Sequence, residues 1–350
     1  MSDQRRWITE ERPLKLGGAF GSPYSLKLRA VLRYRRLPFR WIPRDSVFDD
    51  LTEVPVRIIP ALGLPGEDGG YAETVVDSTP IIERLERMTP ERSLVPVDPA
   101  VAFLDELLED FGDEWVTKAM YHYRWAYEPD RVKAGALLPL ELDLQMPAER
   151  YWPSVEFITA RQVSRRALVG STEANRPVIE HSYERLCELM EAHLTDHPYL
   201  CGSRPGRGDF GIFGQLSQLV GWDPTSARVA LERSPRLVHW VLRTDDVSWW
   251  PVDGDRGWCD RDTLPDTTRA LLAEAGATYV PFLLANAEAV GRGEEQVEVE
   301  LADGPYAQGT FRYQVKCLGW LREHYAALAE EDRRAVDGLL AGTGCEELVA

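Results

Sequence analysis

Cysteine is scarce in this chain. There are five in 350 residues, Cys187, Cys201, Cys259, Cys317 and Cys345, and no two of them form a C-x-x-C pair. An odd, scattered set argues against a disulfide framework and against a structural zinc site, and leaves the thiols reduced and buried as small hydrophobes. Positive charge is also short, with 40 Lys and Arg against 57 Asp and Glu and a formal net charge of -17. That field repels phosphate backbones and anionic lipid surfaces, so nucleic-acid and membrane partners are not expected. The opening residues contain no apolar segment of the kind a signal peptide needs, and the least polar stretch, ATYVPFLLANAEAV, reads as too short to span a bilayer and is broken by Pro281. A soluble, cytoplasmic protein is expected. A P-loop, a G-x-S-x-G elbow, a dinucleotide fingerprint, internal repeats and low-complexity runs are all missing. His193 and His197 stand four apart, but HLTDHP lacks the glutamate of H-E-x-x-H, and a helix terminus before Pro198 is the better reading; no metal is expected.

The chain has length and apolar content (44%) enough for more than one core. Three regions separate, at 12–89, 98–245 and 246–350. The first alternates strand and helix signals. LKLGGAF reads as a strand, Pro23 to Leu37 as a helix with Tyr24, Leu28, Val31 and Leu32 at helical spacing, and FRWI as a second strand. After a polar stretch containing Val54-Pro55, PALGL and the segment before Val76 flank a glycine-rich turn as a hairpin, and TPIIERLERM closes the unit as a helix. The second region is almost wholly helical, with one apolar stripe through Leu104, Leu107, Leu108, Phe111, Trp115 and Ala119. The third combines helices with a hairpin in which Val297, Val299 and Leu301 alternate with Glu298 and Glu300, Asp303-Gly304 turns, and Phe311, Tyr313 and Val315 return. A lone hairpin is marginal in water, so this region is expected to dock on the other two. The fold class is α/β plus all-α, with an additional α+β C-terminal extension.

The stretch GSPYSLKLR, Gly21 to Arg29, has serines where a thiol-redox motif would carry cysteines. Ser22 before Pro23 is first of all a well-made helix start, the hydroxyl accepting from exposed backbone N–H groups. The same helix end carries positive partial charge, so a hydroxyl donor there can also stabilise a bound thiolate. The two readings are compatible. Without cysteine the site cannot form a mixed disulfide, yet it can activate the thiol of another molecule.

Three landmarks, SPYS at the first helix, Ile59-Pro60 before the hairpin and Asp77-Ser78 at the next helix, together resemble the thioredoxin-like domain of the glutathione transferase superfamily. LCGSRPGRGDFGIFGQL is similar to the loop and capping motif of that family's helical domain, with Asp209 in the matching place and Gly206 where a Ser or Thr is usual. The resemblance implies glutathione as co-substrate, Ser22 acting on its thiolate, and a cis Pro60 with the Ile59 backbone pairing the peptide. It implies Asp77 and Ser78 at the γ-glutamyl end. Tyr24 is a competing hydroxyl. Arg40 and Arg44 both offer a charge for the glycine carboxylate, and the sequence does not choose between them. Of the aromatic group Trp115, Tyr121, Tyr123 and Trp125, core by default, one or two are implied to face a small hydrophobic electrophile. A homodimer is suggested as well. The alternative is a non-catalytic member serving as a ligand-binding or protein-interaction module.

Overall fold

The computed structural model describes residues 6–54, 56–71 and 73–350; Pro55, counted above in the polar stretch after the second strand, lies outside them. The N-terminal part runs β1 (Leu14–Gly18), α1 (Pro23–Tyr34), β2 (Phe39–Pro43), β3 (Ala61–Leu64), β4 (Glu73–Val76) and α2 (Ser78–Met88). The sheet order is β2-β1-β3-β4, with β1 and β2 parallel and the other neighbours antiparallel. That is a thioredoxin-like arrangement, and it sets the end of β1, the start of α1 and the start of α2 side by side.

The helical part comprises α3 (Pro99–Phe111), a single π turn at Gly112–Val116, α4 (Thr117–Ala126), α5 (Glu128–Leu137), α6 (Ala148–Ser164), α7 (Arg176–Asp196), α8 (Arg207–Leu219), α9 (Pro224–Arg233) and α10 (Pro235–Thr244). The backbones of the π turn and α8 nearly touch. A Cβ on Gly112 would lie 2.6 Å from the Gly211 carbonyl carbon, so this crossing excludes any larger residue there. The N-terminus of α8 solves the problem that Gly206 poses. Asp209 accepts from the Gly206 and Leu200 N–H groups at 2.9 and 3.1 Å, and the missing hydroxyl cap is replaced from a different helix: Asp105 of α3 accepts from Arg207 N at 2.8 Å and Gly208 N at 3.0 Å. Asp105→Ala leaves two buried N–H groups without partners and is expected to cost about 2–4 kcal/mol. Urea unfolding measures it, and Asp105→Asn, which keeps one acceptor, should lose less.

The C-terminal part contains α11 (Asp266–Arg292), the pair β5 (Gln296–Leu301) and β6 (Gly304–Gly309), α12 (Arg312–Ala327) and α13 (Glu330–Leu340). Its hairpin returns one segment earlier than the alternation suggested. Gly304–Gly309 is the returning strand, paired from Leu301↔Gly304 to Gln296↔Gly309, while Tyr313 and Val315 belong to α12. The tight turn at Gly304 (φ 122) starts a six-residue strand, and two residues after it the chain enters the helix at Arg312. The apolar stretch around Pro281 is part of a 27-residue helix, longer than it read; it is long and apolar enough to cross a membrane by composition, and 61% of its apolar window is buried against protein here. Docking is complete. One hydrophobic cluster runs from Ile8 and Leu16 through Leu104 and Phe213 to Val297, Leu318 and Leu348.

Candidate functional site

All three parts wall one cavity of about 800 Å³. From the N-terminal part come Ser22, Tyr24, Ile59, Pro60, Asp77 and Ser78, residues scattered over more than fifty positions that the sheet order brings together. The α3–α4 segment forms the opposite wall, and Gln308 to Trp320 close the third side.

Ser22 caps α1, its Oγ accepting from Ser25 N at 3.3 Å while its own proton stays available to donate. Ser25, at the far end of the serine pair, is fully buried and accepts from Ala19 N. The Tyr24 hydroxyl donates to the Asp113 carbonyl at 2.8 Å; burial, then Glu114 and Asp113, push its pKa well up, so it holds its proton. The Ile59–Pro60 bond is cis. The loop before α1 is held by Glu141, which accepts from Phe20 N and Gly21 N at 2.7 and 2.6 Å.

Asp77 is the N-cap of α2 by position but makes no cap bond with its side chain. It stands at φ 77, a conformation that costs a non-glycine residue on the order of 1–3 kcal/mol, and its N–H bonds the Pro60 carbonyl. Its Oδ2 instead accepts from the Tyr313 hydroxyl at 2.5 Å, a residue of α12. The C-terminal part therefore already occupies one oxygen of the carboxylate expected to meet an ammonium group. Ser78 lies beside it, 3.5 Å from Lys27 Nζ.

Lys27 escaped the sequence reading. It sits on the buried face of α1 between Leu26 and Leu28, completely enclosed, and reaches Asp113 Oδ2 at 2.5 Å and Glu109 Oε1 at 2.7 Å. Burial works to lower its pKa, but the two carboxylates outweigh it and raise it. Glu109 is also bound by Arg207 Nε at 2.6 Å. The available signal was a lysine three residues after Tyr24 and four before Val31, on an otherwise apolar stripe. Lys118, equally unforeseen, donates to Gln308 Oε1 at 2.7 Å and lies 4.2 Å over the Phe282 ring; burial drops its pKa to about 7.

Trp115 does not face the cavity. Its indole N–H donates to Ser182 Oγ at 2.9 Å and its ring packs against Phe282 and Tyr306, as the apolar stripe required. Tyr121 and Trp125 are the members of that aromatic group on the cavity wall. Arg40 and Arg44 are turned elsewhere, paired with Asp50 and Asp49. His193 is a buried helix-end histidine bonded to Thr267 and the Tyr199 carbonyl.

The pattern described as "Glutathione S-transferase, N-terminal domain" matches residues 16–93. No curated protein matches the chain. Among solved structures, the Tau class glutathione S-transferase of mango, Mangifera indica, is similar at 16% identity and a TM-score of 0.41, covering 73% of this chain and 94% of that one. A glutathione S-transferase of Methylobacillus flagellatus with glutathione bound is 19% identical with a TM-score of 0.40, over 67% and 96%. Residues 16–93 thus carry the match to the glutathione S-transferase N-terminal domain, and they are joined here to a helical part and a C-terminal region on one shared core.

Proposed function

We propose that the protein binds glutathione at the N-terminal wall of the cavity and activates its thiol for attack on a second molecule held against the helical wall. The observation that carries this is the convergence of Ser22, the cis Ile59–Pro60 pair and Asp77-Ser78 on one side of one cavity. In this reading the Ile59 backbone pairs the tripeptide as an added strand. Ser78 and the N-terminus of α2 receive the γ-glutamyl carboxylate, and Asp77 receives its ammonium through the oxygen that Tyr313 leaves. Ser22 donates to the sulfur, where the charge is needed. Helical residues then orient the electrophile for attack.

Calorimetric titration with glutathione tests binding directly. Asp77→Ala should mainly raise KM, because that ion pair exists in ground and transition states alike. Ser22→Ala should lower kcat about tenfold to a hundredfold and raise the bound thiol's pKa, as expected for losing one hydrogen bond to a charged group. Identical thiolate titration curves in wild type and Ser22→Ala would leave Ser22 as a helix cap only. A non-catalytic ligand-binding role is the second reading. It is favoured by the Tyr313–Asp77 bond, and millimolar glutathione with no heat of binding would select it.

A further inference from the structure

Two of the cysteines that read as scattered along the chain meet in the fold. Cys201 lies in the turn before α8 and Cys259 in the connection between α10 and α11, and these segments lie side by side as an isolated antiparallel bridge between Gly202 and Trp258. Two backbone bonds close it: Cys259 N donates to the Cys201 carbonyl at 2.9 Å, and Ser203 N to the Gly257 carbonyl at 2.7 Å. Gly202 permits the approach. At φ 131 it adopts a conformation that favours glycine, and a Cβ there would stand 2.2 Å from the Gly257 oxygen. The register is fixed further by Arg204 Nη1, which donates to the Gly254 carbonyl at 2.7 Å, and by the Trp250 indole N–H, which donates to the Ser203 carbonyl at 2.8 Å. Cys201 and Cys259 are thereby directly opposed. Residues opposed in an antiparallel pair have Cα atoms roughly 4.5–5.5 Å apart, inside the range of about 4.4–6.8 Å that a disulfide spans.

The two thiols differ in their surroundings. Cys201 is fully enclosed, and its Sγ donates to Asp105 Oδ1 at 3.8 Å. Cys259 is half-buried and lines a surface depression with Val97, Pro99, Trp258 and Arg261. The thiols also hydrogen-bond each other. That bond holds Cys259 below the ordinary thiol value against the upward pull of burial, and the same bond, then burial and Asp105, push Cys201 well up. The remaining cysteines are unlike this pair: all three are buried, and burial pushes Cys187 and Cys345 up to about 12 and raises Cys317 as well. An accessible, readily ionised thiol backed by a second one within bonding reach is the arrangement expected of an oxidisable pair.

We propose that Cys259 and Cys201 form an oxidation site for a small neutral hydroperoxide, at which the two thiols close to a disulfide that fastens the turn before α8 to the connection leading into α11. The Cys259 thiolate attacks the near peroxide oxygen and the O–O bond breaks. The far oxygen takes up the proton that Cys259 released on ionising and leaves as water or an alcohol, while Cys259 becomes a sulfenic acid. The Cys201 sulfur then attacks the Cys259 sulfur, the S–O bond breaks, and the hydroxyl leaves as water with the proton that Cys201 gives up. Two thiols lose two electrons in all, and the peroxide gains them. Charge favours a neutral oxidant over the anionic glutathione disulfide: the chain carries a formal net charge of -17, and Asp98, Asp255 and Asp260 border the depression against Arg256 and Arg261. This chemistry does not depend on glutathione binding in the large cavity.

Thiol counting on the full chain tests it. The reduced protein is treated with hydrogen peroxide, quenched with catalase, unfolded and titrated with dithionitrobenzoate. Two of the five thiols should be lost, dithiothreitol should restore them, and mass mapping should find the Cys201 and Cys259 peptides joined. Cys259→Ser, a change at a half-buried position, should slow the loss at least about tenfold. Cys201→Ala should leave Cys259 reactive but stop it at the sulfenic acid, which dimedone traps. Glutathione disulfide at the same concentration should oxidise the pair more slowly than hydrogen peroxide. Five thiols remaining after peroxide, a disulfide joining any other two cysteines, or an equal rate of loss in Cys259→Ser overturns the site, and faster oxidation by glutathione disulfide overturns the neutral oxidant.

Discussion

Lys27→Met is expected to lose about 3–5 kcal/mol of folding stability, because it strips the counter-charge from two enclosed carboxylates instead of removing a neutral contact. Lys27 has no exposed surface and holds Asp113 and Glu109 at 2.5 and 2.7 Å; with it gone, Glu109 keeps Arg207 but Asp113 keeps no cation. The double variant Lys27→Met, Asp113→Asn should recover a good part of the loss, since the cost lies in the unpaired charge. Urea unfolding of the three proteins checks this. If the double variant is as unstable as the single one, packing of the lysine stem and not its charge is what matters.

Stability should also fall as pH rises from about 5 to about 8, the reverse of ordinary acid denaturation. Burial raises Asp105 and Asp110 to about 7 and Glu114 to about 8. An acid whose native pKa lies above its unfolded value keeps a proton that the unfolded chain has released. Folding therefore takes up protons between about pH 4 and each raised value, and stability declines through that window. The groups facing these three acids are Arg207 and Glu109 for Asp105, Tyr279, Asp113, Glu109 and Glu106 for Asp110, and Gln314, Asp110, Asp113 and Lys118 for Glu114. His193 opposes the trend: burial lowers it to about 4, so the unfolded chain holds the extra proton between about pH 4 and 6.5 and stability there rises with pH. Lys118, lowered to about 7, adds stability above that value as pH climbs toward 10. Asp113 and Asp223, raised to about 6, and Asp209, raised well up by burial, act in the same direction as the three, so against His193 a net excess of at least two native protons implies a decline on the order of 3 kcal/mol per pH unit below about pH 6, easing toward pH 8 as Lys118 offsets Glu114. Urea midpoints at pH 5, 6.5 and 8 measure it, and a midpoint that rises with pH would mean the wall is ionised in the folded state.

The elements of the N-terminal part were legible because each had a local cause: a glycine-ended strand, a Ser-Pro helix start, and a glycine turn between two strands. Ser22, Asp77 and Ser78 were legible locally only as helix starts, and their place in a site, with that of Ile59 and Pro60, came from the family resemblance; all five line the cavity. What the sequence did not show depends on contacts between distant segments. Trp115 belongs to the stripe that packs inward, and its indole finds Ser182, sixty-seven residues on. Lys27 looks like a misplaced charge until α3 and the π turn after it bring Glu109 and Asp113 to it. Asp105 capping α8, and Tyr313 reaching Asp77, have no trace in either partner's neighbourhood along the chain. The hairpin return was displaced because Phe311, Tyr313 and Val315 alternate as a strand would, while Arg312–Ala327 is in fact helix, held by α11 and the cavity wall.

Tyr313 and Asp77 are separated by 236 residues. On a ribosome adding 5–20 residues per second, Asp77 is made roughly ten to fifty seconds before the hydroxyl that bonds it. During that interval the N-terminal part can fold around its own sheet, but the third side of its cavity does not yet exist and the acidic face of α3 stands open to water. A molecule that needs all three walls can be held only by a finished chain, whereas one that needs the N-terminal wall alone could be held by a nascent one.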